Sequence, residues 1–229
     1  MRLRFTRDSR EMGMRLGRWL LDRWLKGGSR DPLWDHFIYH APADPKNNLA
    51  PALQGAPEGR IYPVKTEVSD PHTMSRYIKE LARWFGADLV GIAALQPNHM
   101  QPGSRSDAGG NRIEETERLE NSARQYLFAV VCTIAAAYDP REAKGLGGQL
   151  AVQNGAIVNH HLRNYIRELG YRASIGGADP FAVAAAAGLG QRDRTGRFVT
   201  RLSAAHIHVA DAILTDLPLA PDAAQQGGT

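Results

Sequence analysis

The sequence predicts an α+β fold in which a central sheet is covered by helices. Three observations predict it. A helix signal over residues 70–85 leads into the apolar segment 88–95, the apolar segment 126–134 is typical of a strand buried on both faces, and a long helical pattern follows residues 145–148. A chain of 229 residues, 43% of them hydrophobic, can bury one substantial core, so we expect one main domain.

Composition divides the chain into three parts. Residues 1–63 are predicted to hold a basic amphipathic helix at 12–25 and an extended, Pro- and Ala-rich linker at 41–63. Residues 64–222 form the predicted core domain, and residues 223–229 a disordered tail.

The positive charge of the chain is local. Its formal net charge is +4, and residues 1–30 contain nine Arg and Lys residues against three Asp and Glu residues. Such an arm can bind nucleic acid, an anionic membrane surface or an acidic partner protein. We favour packing of its apolar stripe on its own domain, and nucleic acid is not a favoured partner.

The first half of the core begins with a well-marked helix. Asp70 is placed to cap it, Pro71 suits its first position, and an apolar face runs from Met74 to Phe85. A strand at 88–95 follows at once. Residues 97–112 are predicted to be a loop and 113–124 an exposed helix.

The second half begins with a glycine-rich turn at 145–148 and a long helix that Gly170 ends. One face of this helix is predicted to be apolar, and its members are Val158, Leu162, Tyr165, Ile166 and Leu169. A small-residue run at 184–190, a polar turn, a short strand at 198–200 and a final strand beginning at His206 complete the core.

Several classes of protein are excluded or disfavoured. Cys132 is the only cysteine and lies in an apolar run, so neither a disulfide framework nor a self-contained iron-sulfur cluster is expected, and Cys132 is predicted to be a buried hydrophobe. No apolar run reaches the roughly 18 residues of a membrane span, and no signal peptide pattern is present, so a soluble cytoplasmic protein is expected. The glycine clusters do not complete a nucleotide-binding motif.

Four separated segments resemble one known family. The segment HTMSRYIKELARWFGADLVGIAAL (72–95) is similar to the first helix and strand of the reductive dehalogenase core. HLRNYIRELGYRA (161–173) resembles that family's "fIRxLGYxA" helix, AAGLGQRDRTGRFVT (186–200) its "AAGLGELGRNGLLIT" turn, and AILTDLPLAPD (212–222) its "AVLTDLPLEPD" segment. The chain thus resembles the reductive dehalogenase and epoxyqueuosine reductase superfamily.

The resemblance implies a nitroreductase-like, corrinoid-binding fold, with cobalamin as the cofactor. In that family the glycine-rich turn and the strand after it line the corrinoid. The matching positions, with the neighbouring Thr195 hydroxyl, are Ala187, Gly188, Leu189, Gly190, Arg194, Thr195, Gly196 and Thr200. Their glycines let a flat ligand approach the backbone, and their hydroxyls and N–H groups can bond its amide arms or phosphate.

The departures from the family are equally specific. Where the family continues "TPEYGPRVRL", this chain has TRLSAAHIHV (200–209), which places His206 and His208 on one face of a strand. Either histidine could contact the corrinoid, and His206 could coordinate its cobalt, although a structural histidine is the more frequent case. The cysteine motifs that follow "TDLPLxPD" in the family do not occur here, so electrons are expected from a separate donor protein.

Three functions are compatible with the sequence. The first is corrinoid binding, as a B12 carrier or processing factor or as the cobalamin subunit of a reductase. The second is an FMN-dependent, nitroreductase-like oxidoreductase, which would hold its flavin at a homodimer interface. The third is a cofactor-free interaction module that docks through its basic arm. No catalytic residue is assigned: the tyrosine proton donor of the catalytic dehalogenases cannot be placed on a matching motif here, and Tyr138, Tyr165 and Tyr171 are available but unassigned.

Overall fold

The computed structural model describes residues 32–42, 44–100, 125–200, 202 and 206–222. The predicted basic helix at 12–25, the predicted exposed helix at 113–124 and the predicted disordered tail at 223–229 lie outside the described residues. None of the helices within the described ranges is long and apolar enough to cross a membrane.

The described chain contains both helices and strands, as predicted. Its helices are α1 (Pro32–Tyr39), α2 (Leu49–Gln54), α3 (Pro71–Trp84), α4 (Leu146–Glu168) and α5 (Pro180–Ala186), with single 3₁₀ turns at Pro45–Asn47 and Pro97–His99. Its strands are β1 (Leu89–Ala94), β2 (Phe128–Ala136), β3 (Ala173–Ile175), β4 (Gly190–Arg192), β5 (Phe198–Thr200), β6 (His206–Val209) and β7 (Ile213–Thr215).

The central sheet is antiparallel and is organised around β2. Strand β1 pairs along one edge of β2, and both β6 and β7 pair along the other, with β3 beyond β7. Strands β4 and β5 form a separate hairpin. The expected sheet with helices on its faces is therefore confirmed.

A β-bulge separates β6 from β7. Thr133 pairs with Val209 and Val130 with Ile213, so two residues of β2 face the three residues 210–212. One extra residue in a strand reverses the alternation of its side chains beyond that point. Accordingly Val209 packs on one face of the sheet, and Ile213, four residues later, packs on the opposite face.

Each face of the sheet carries its own apolar cluster. On one face α3 and α4 pack against the sheet through fully buried residues such as Ile78, Val158 and Leu162. On the other face α5 and the β4–β5 hairpin pack through residues such as Val183 and Phe198. Strand β2 contributes to both clusters, which confirms that its segment is buried on both faces, and Cys132 is fully buried within it.

Helix α3 begins where the sequence predicted, directly after the capping residue Asp70. The Asp70 carboxylate accepts hydrogen bonds from the main-chain N–H groups of His72 and Thr73, at 3.0 and 3.1 Å, and Pro71 occupies the first helical position. These bonds satisfy N–H groups that have no partner inside the helix.

Three details differ from the sequence-based expectation. The linker at 41–63 contains α2, because Asn48 caps a short helix by accepting from the N–H of Ala50. Helix α4 begins at Leu146, so most of the glycine-rich turn lies inside its first turn. Tyr165 is 44% exposed, so its expected place on the apolar face of α4 is wrong.

Candidate functional site

The site begins with a cleft at the end of β2. Three segments line it: the turn at 139–141, residues 196–198 of the β4–β5 hairpin and residues 206–209 of β6, together with Phe181 of α5. Its volume is about 120 Å³. We call it the hairpin cleft.

Asp139 is the electrostatic centre of the hairpin cleft. Its carboxylate accepts hydrogen bonds from Arg141, from the main-chain N at 2.9 Å, Nε at 3.2 Å and Nη2 at 2.9 Å. Nη2 of Arg197 lies 3.4 Å from the same carboxylate. The hydrogen bonds from the Arg141 side chain are the main reason why the pKa of Asp139 falls to about 2. Asp139 is therefore a buried anion that joins the hairpin to the end of β2.

The two histidines of β6 lie on the side of the strand opposite Ile207 and Val209, which pack with α5. Nδ1 of His206 is 3.9 Å from Oδ2 of Asp139, beyond hydrogen-bond distance but within the range of an ion pair. Burial lowers the pKa of His208, which favours its neutral imidazole. Both histidines are among the residues that line the hairpin cleft, together with Ile207 and Val209.

The first four residues of the glycine-rich motif serve the fold. Ala187 and Leu189 are buried in the cluster beneath the sheet. Gly188 ends α5 with a φ of +68°, a conformation that favours glycine. At Gly190 a Cβ would lie 2.0 Å from the main-chain oxygen of Val199, so only glycine allows the hairpin to pair so closely. A role for these four residues toward a ligand stays a prediction.

The hairpin turn holds the next predicted residues. Oδ1 of Asp193 accepts from the Thr195 N–H at 2.8 Å, the Thr195 hydroxyl at 2.7 Å and the Arg197 N–H at 2.9 Å. The Thr200 hydroxyl accepts from the N–H of Leu202 at 3.1 Å. Arg194 is exposed at the tip of the turn. Both hydroxyls therefore already have partners within the protein.

Of the ten residues predicted to bind a cofactor, the structure brings Gly196, His206 and His208 together at the hairpin cleft. Three polar lining residues were not anticipated: Asp139, Arg141 and Arg197. The sequence of residues 138–142 indicated a structured turn, because an Asp-Pro pair followed by Arg directly after a buried strand is typical of one. Within the described residues no group of three or more His, Cys, Asp or Glu side chains could hold a metal ion, so a bound metal would have to bring most of its own ligands.

Comparison with known proteins identifies the fold. No family model and no curated protein matches this chain. The solved structure of the catabolic reductive dehalogenase NpRdhA superposes with a TM-score of 0.60 at 19% identity over 84% of this chain and 28% of its own. A reductive dehalogenase whose structure suggests a mechanism for B12-dependent dehalogenation superposes with a TM-score of 0.58 at 22% identity, over 76% of this chain and 25% of its own.

The chain has the reductive dehalogenase fold. The expected resemblance is confirmed at this level, and the chain spans about a quarter of the length of those dehalogenases. An epoxyqueuosine reductase from Streptococcus thermophilus superposes less well, with a TM-score of 0.47 at 17% identity over 68% of this chain and 49% of its own.

Proposed function

We propose that this chain is a corrinoid-binding domain whose hairpin cleft contacts the cofactor. The observation that carries the proposal is the position of His206, which turns one ring nitrogen toward the buried Asp139 carboxylate in a chain with the reductive dehalogenase fold. A histidine that binds a metal commonly directs its other ring nitrogen toward a carboxylate, which orients the ring. Nε2 of His206 is then the nitrogen available to cobalt.

The charged residues of the cleft suit the polar periphery of a corrinoid. Arg141 and Arg197 each engage Asp139 through one edge, yet their side chains are 51% and 47% exposed. Guanidinium groups with free N–H edges bind phosphate and amide oxygens. Arg141 and Arg197 would thus hold the phosphate or the amide arms.

The size of the cleft limits what it can enclose. Pockets that enclose a drug-sized ligand, which is smaller than a corrinoid, measure about 300–1,000 Å³, whereas the hairpin cleft measures about 120 Å³. It would therefore receive one part of the corrinoid, and the rest of the ring would lie over the adjoining surface.

A bound corrinoid would supply cobalt-centred reduction or ligand exchange. This chain's own residues would bind and orient the cofactor. A role as B12 carrier or processing factor needs only that binding, whereas a role as the cobalamin subunit of a reductase also needs a separate electron donor and a proton donor. Among the three candidate tyrosines, Tyr171 is 6% exposed and donates its hydroxyl to the main-chain oxygen of Thr66 at 2.8 Å, which disfavours it as that proton donor. A cytoplasmic location and a homodimer are part of this proposal.

The test is an absorption titration of the purified protein with two corrinoids. Hydroxocobalamin carries a phosphate and its own lower base, whereas cobinamide carries neither. We expect saturable spectral changes with both, and, after reduction of the cobinamide complex to Co(II), nitrogen splitting in its electron paramagnetic resonance spectrum. His206→Ala should remove the splitting. His72→Ala, which removes an exposed imidazole on α3, should not change it.

A second variant tests the arginine pair. Arg197→Ala should weaken binding of hydroxocobalamin by about tenfold, the value of one charge-assisted hydrogen bond. Unchanged cobinamide binding would assign the Arg197 guanidinium to the phosphate, and an equal loss would assign it to an amide arm. A folded protein that shows no spectral change with either corrinoid contradicts the proposal. Saturable uptake of FMN in its place would favour the flavin-dependent function.

A further inference from the structure

A second, smaller pocket lies behind His208, between α2, α4 and the bulge. Its volume is about 50 Å³, and its walls are mostly aliphatic, with Leu53, Val152, Ala156 and Ile175 among them. A water molecule needs roughly 10–15 Å³ of such space, so the pocket holds roughly three to five water-sized atoms. We call it the bulge pocket.

One of the residues that line the bulge pocket, Asn159, carries a buried hydrogen-bond acceptor that has no partner. Asn159 is 2% exposed, and its Nδ2 donates to the main-chain oxygen of Asp211 at 2.8 Å. Because a main-chain oxygen can only accept, this bond fixes the orientation of the amide and leaves Oδ1 as the free end. Oδ1 has no hydrogen-bond partner in the structure. Buried polar groups are nearly always hydrogen-bonded, so a donor is missing here.

Asp211 and His208 also offer acceptors to the pocket, and Gln54, a further lining residue, carries an amide that both donates and accepts. One oxygen of the Asp211 carboxylate accepts a hydrogen bond from Nε2 of Gln54 at 3.3 Å. His208 lines the pocket, and an imidazole ring can offer a nitrogen as a hydrogen-bond acceptor. Among the described residues, none that lines this pocket is a lysine or an arginine. The pocket therefore combines one negative charge, three acceptor groups and aliphatic walls.

We propose that the bulge pocket binds the ammonium group of a short aliphatic primary amine. An ammonium group has three N–H donors, which match the acceptors on Asn159, Asp211 and His208 in number, and its positive charge complements the carboxylate. The short alkyl chain would pack against the aliphatic walls. A neutral ligand would leave the carboxylate without a counter-charge. His208 also lines the hairpin cleft, so the two proposed sites share one residue, but the ammonium site needs no bound corrinoid.

The experiment uses ethylammonium as the probe, without any corrinoid. Titration is followed by the imidazole resonances of His208 in NMR spectra, assigned with His208→Gln. We expect a saturable shift with ethylammonium and none with ethanol or tetramethylammonium, which lack the charge or the N–H donors.

Two variants and a control decide the outcome. Asp211→Asn should weaken ethylammonium binding by about tenfold, because it removes the counter-charge, and Asn159→Leu should abolish it. Asp35→Asn, on the exposed side of α1, should leave it unchanged. If Asn159→Leu does not fold, the affinity of Asp211→Asn for ethylammonium alone tests the proposal. The proposal is overturned if wild-type protein shows no shift, if ethanol shifts the same resonances equally, or if Asp211→Asn binds as tightly as wild type; in these cases water satisfies Oδ1 of Asn159.

Discussion

Replacement of Asp139 by Asn should destabilise the protein in a pH-dependent way. In the folded protein the pKa of Asp139 is about 2, against an ordinary value of 3.8. At about 1.4 kcal/mol per pKa unit, this difference corresponds to roughly 2.5 kcal/mol of stability. Because the guanidinium groups of Arg141 and Arg197 are about half exposed, solvent screening reduces the expected loss to about 1–2 kcal/mol.

The sign of the pH dependence follows from the lowered pKa. The folded state holds its proton less tightly than the unfolded state, so the contribution of Asp139 is fully present above the unfolded pKa of 3.8 and is lost as the pH falls toward 2. In urea unfolding, Asp139→Asn should therefore have a lower free energy of unfolding than wild type at pH 6, and this difference should be smaller at pH 2.5. Glu142→Gln is the matched control, since Glu142 is 71% exposed and lies 3.7 Å from Arg197; its effect should stay below about 0.5 kcal/mol. If Asp139→Asn unfolds at the same urea concentration as wild type at pH 6, the inference that this carboxylate stabilises the folded protein is wrong.

Three further changes test other parts of the structure. Gly190→Ala should lower the free energy of unfolding by about 1–3 kcal/mol, because the new Cβ would meet the Val199 oxygen; an unchanged urea midpoint would show that the hairpin can separate at no cost. Asp222→Ala should cost about 1–2 kcal/mol in thermal denaturation, since this carboxylate accepts from the Ile92 N–H at 2.9 Å, and a melting temperature equal to that of wild type would mean that the bond contributes nothing. Burial lowers the pKa of His208, so folding stability should fall as the pH drops below about 6.5; His208→Gln should show a weaker dependence, and an identical pH profile would contradict this.

Local signals in the sequence predicted most of the fold. The Asp70 cap and the apolar face after it predicted α3, and uninterrupted apolar residues predicted the burial of β2 on both faces. These features depend only on residues that are close together in the sequence. The bulge between β6 and β7 could not be predicted, because it depends on which residues of β2 lie opposite residues 210–212.

The site was less predictable than the fold for the same reason. His206 and His208 were identified from the chain's departure from a family motif, and the structure does place them on one face. The pairing of Asp139 with Arg197 joins residues that are far apart in the sequence, so no local pattern reveals it. The glycines of the motif were predicted to contact a ligand, yet Gly188 and Gly190 have sufficient structural reasons in a helix end and a close strand contact.

The bulge makes the length of the last segment as important as its composition. Deletion of one residue from 210–212 would restore strict alternation along β6 and β7. Either the histidines of β6 would then rotate to the side of α5, or Ile213 would leave the cluster it shares with α4. Any relative that keeps every side chain of this region but lacks that one residue would present a different surface on this side of the sheet. When such sequences are aligned, a single gap at this point therefore deserves more weight than several substitutions around it.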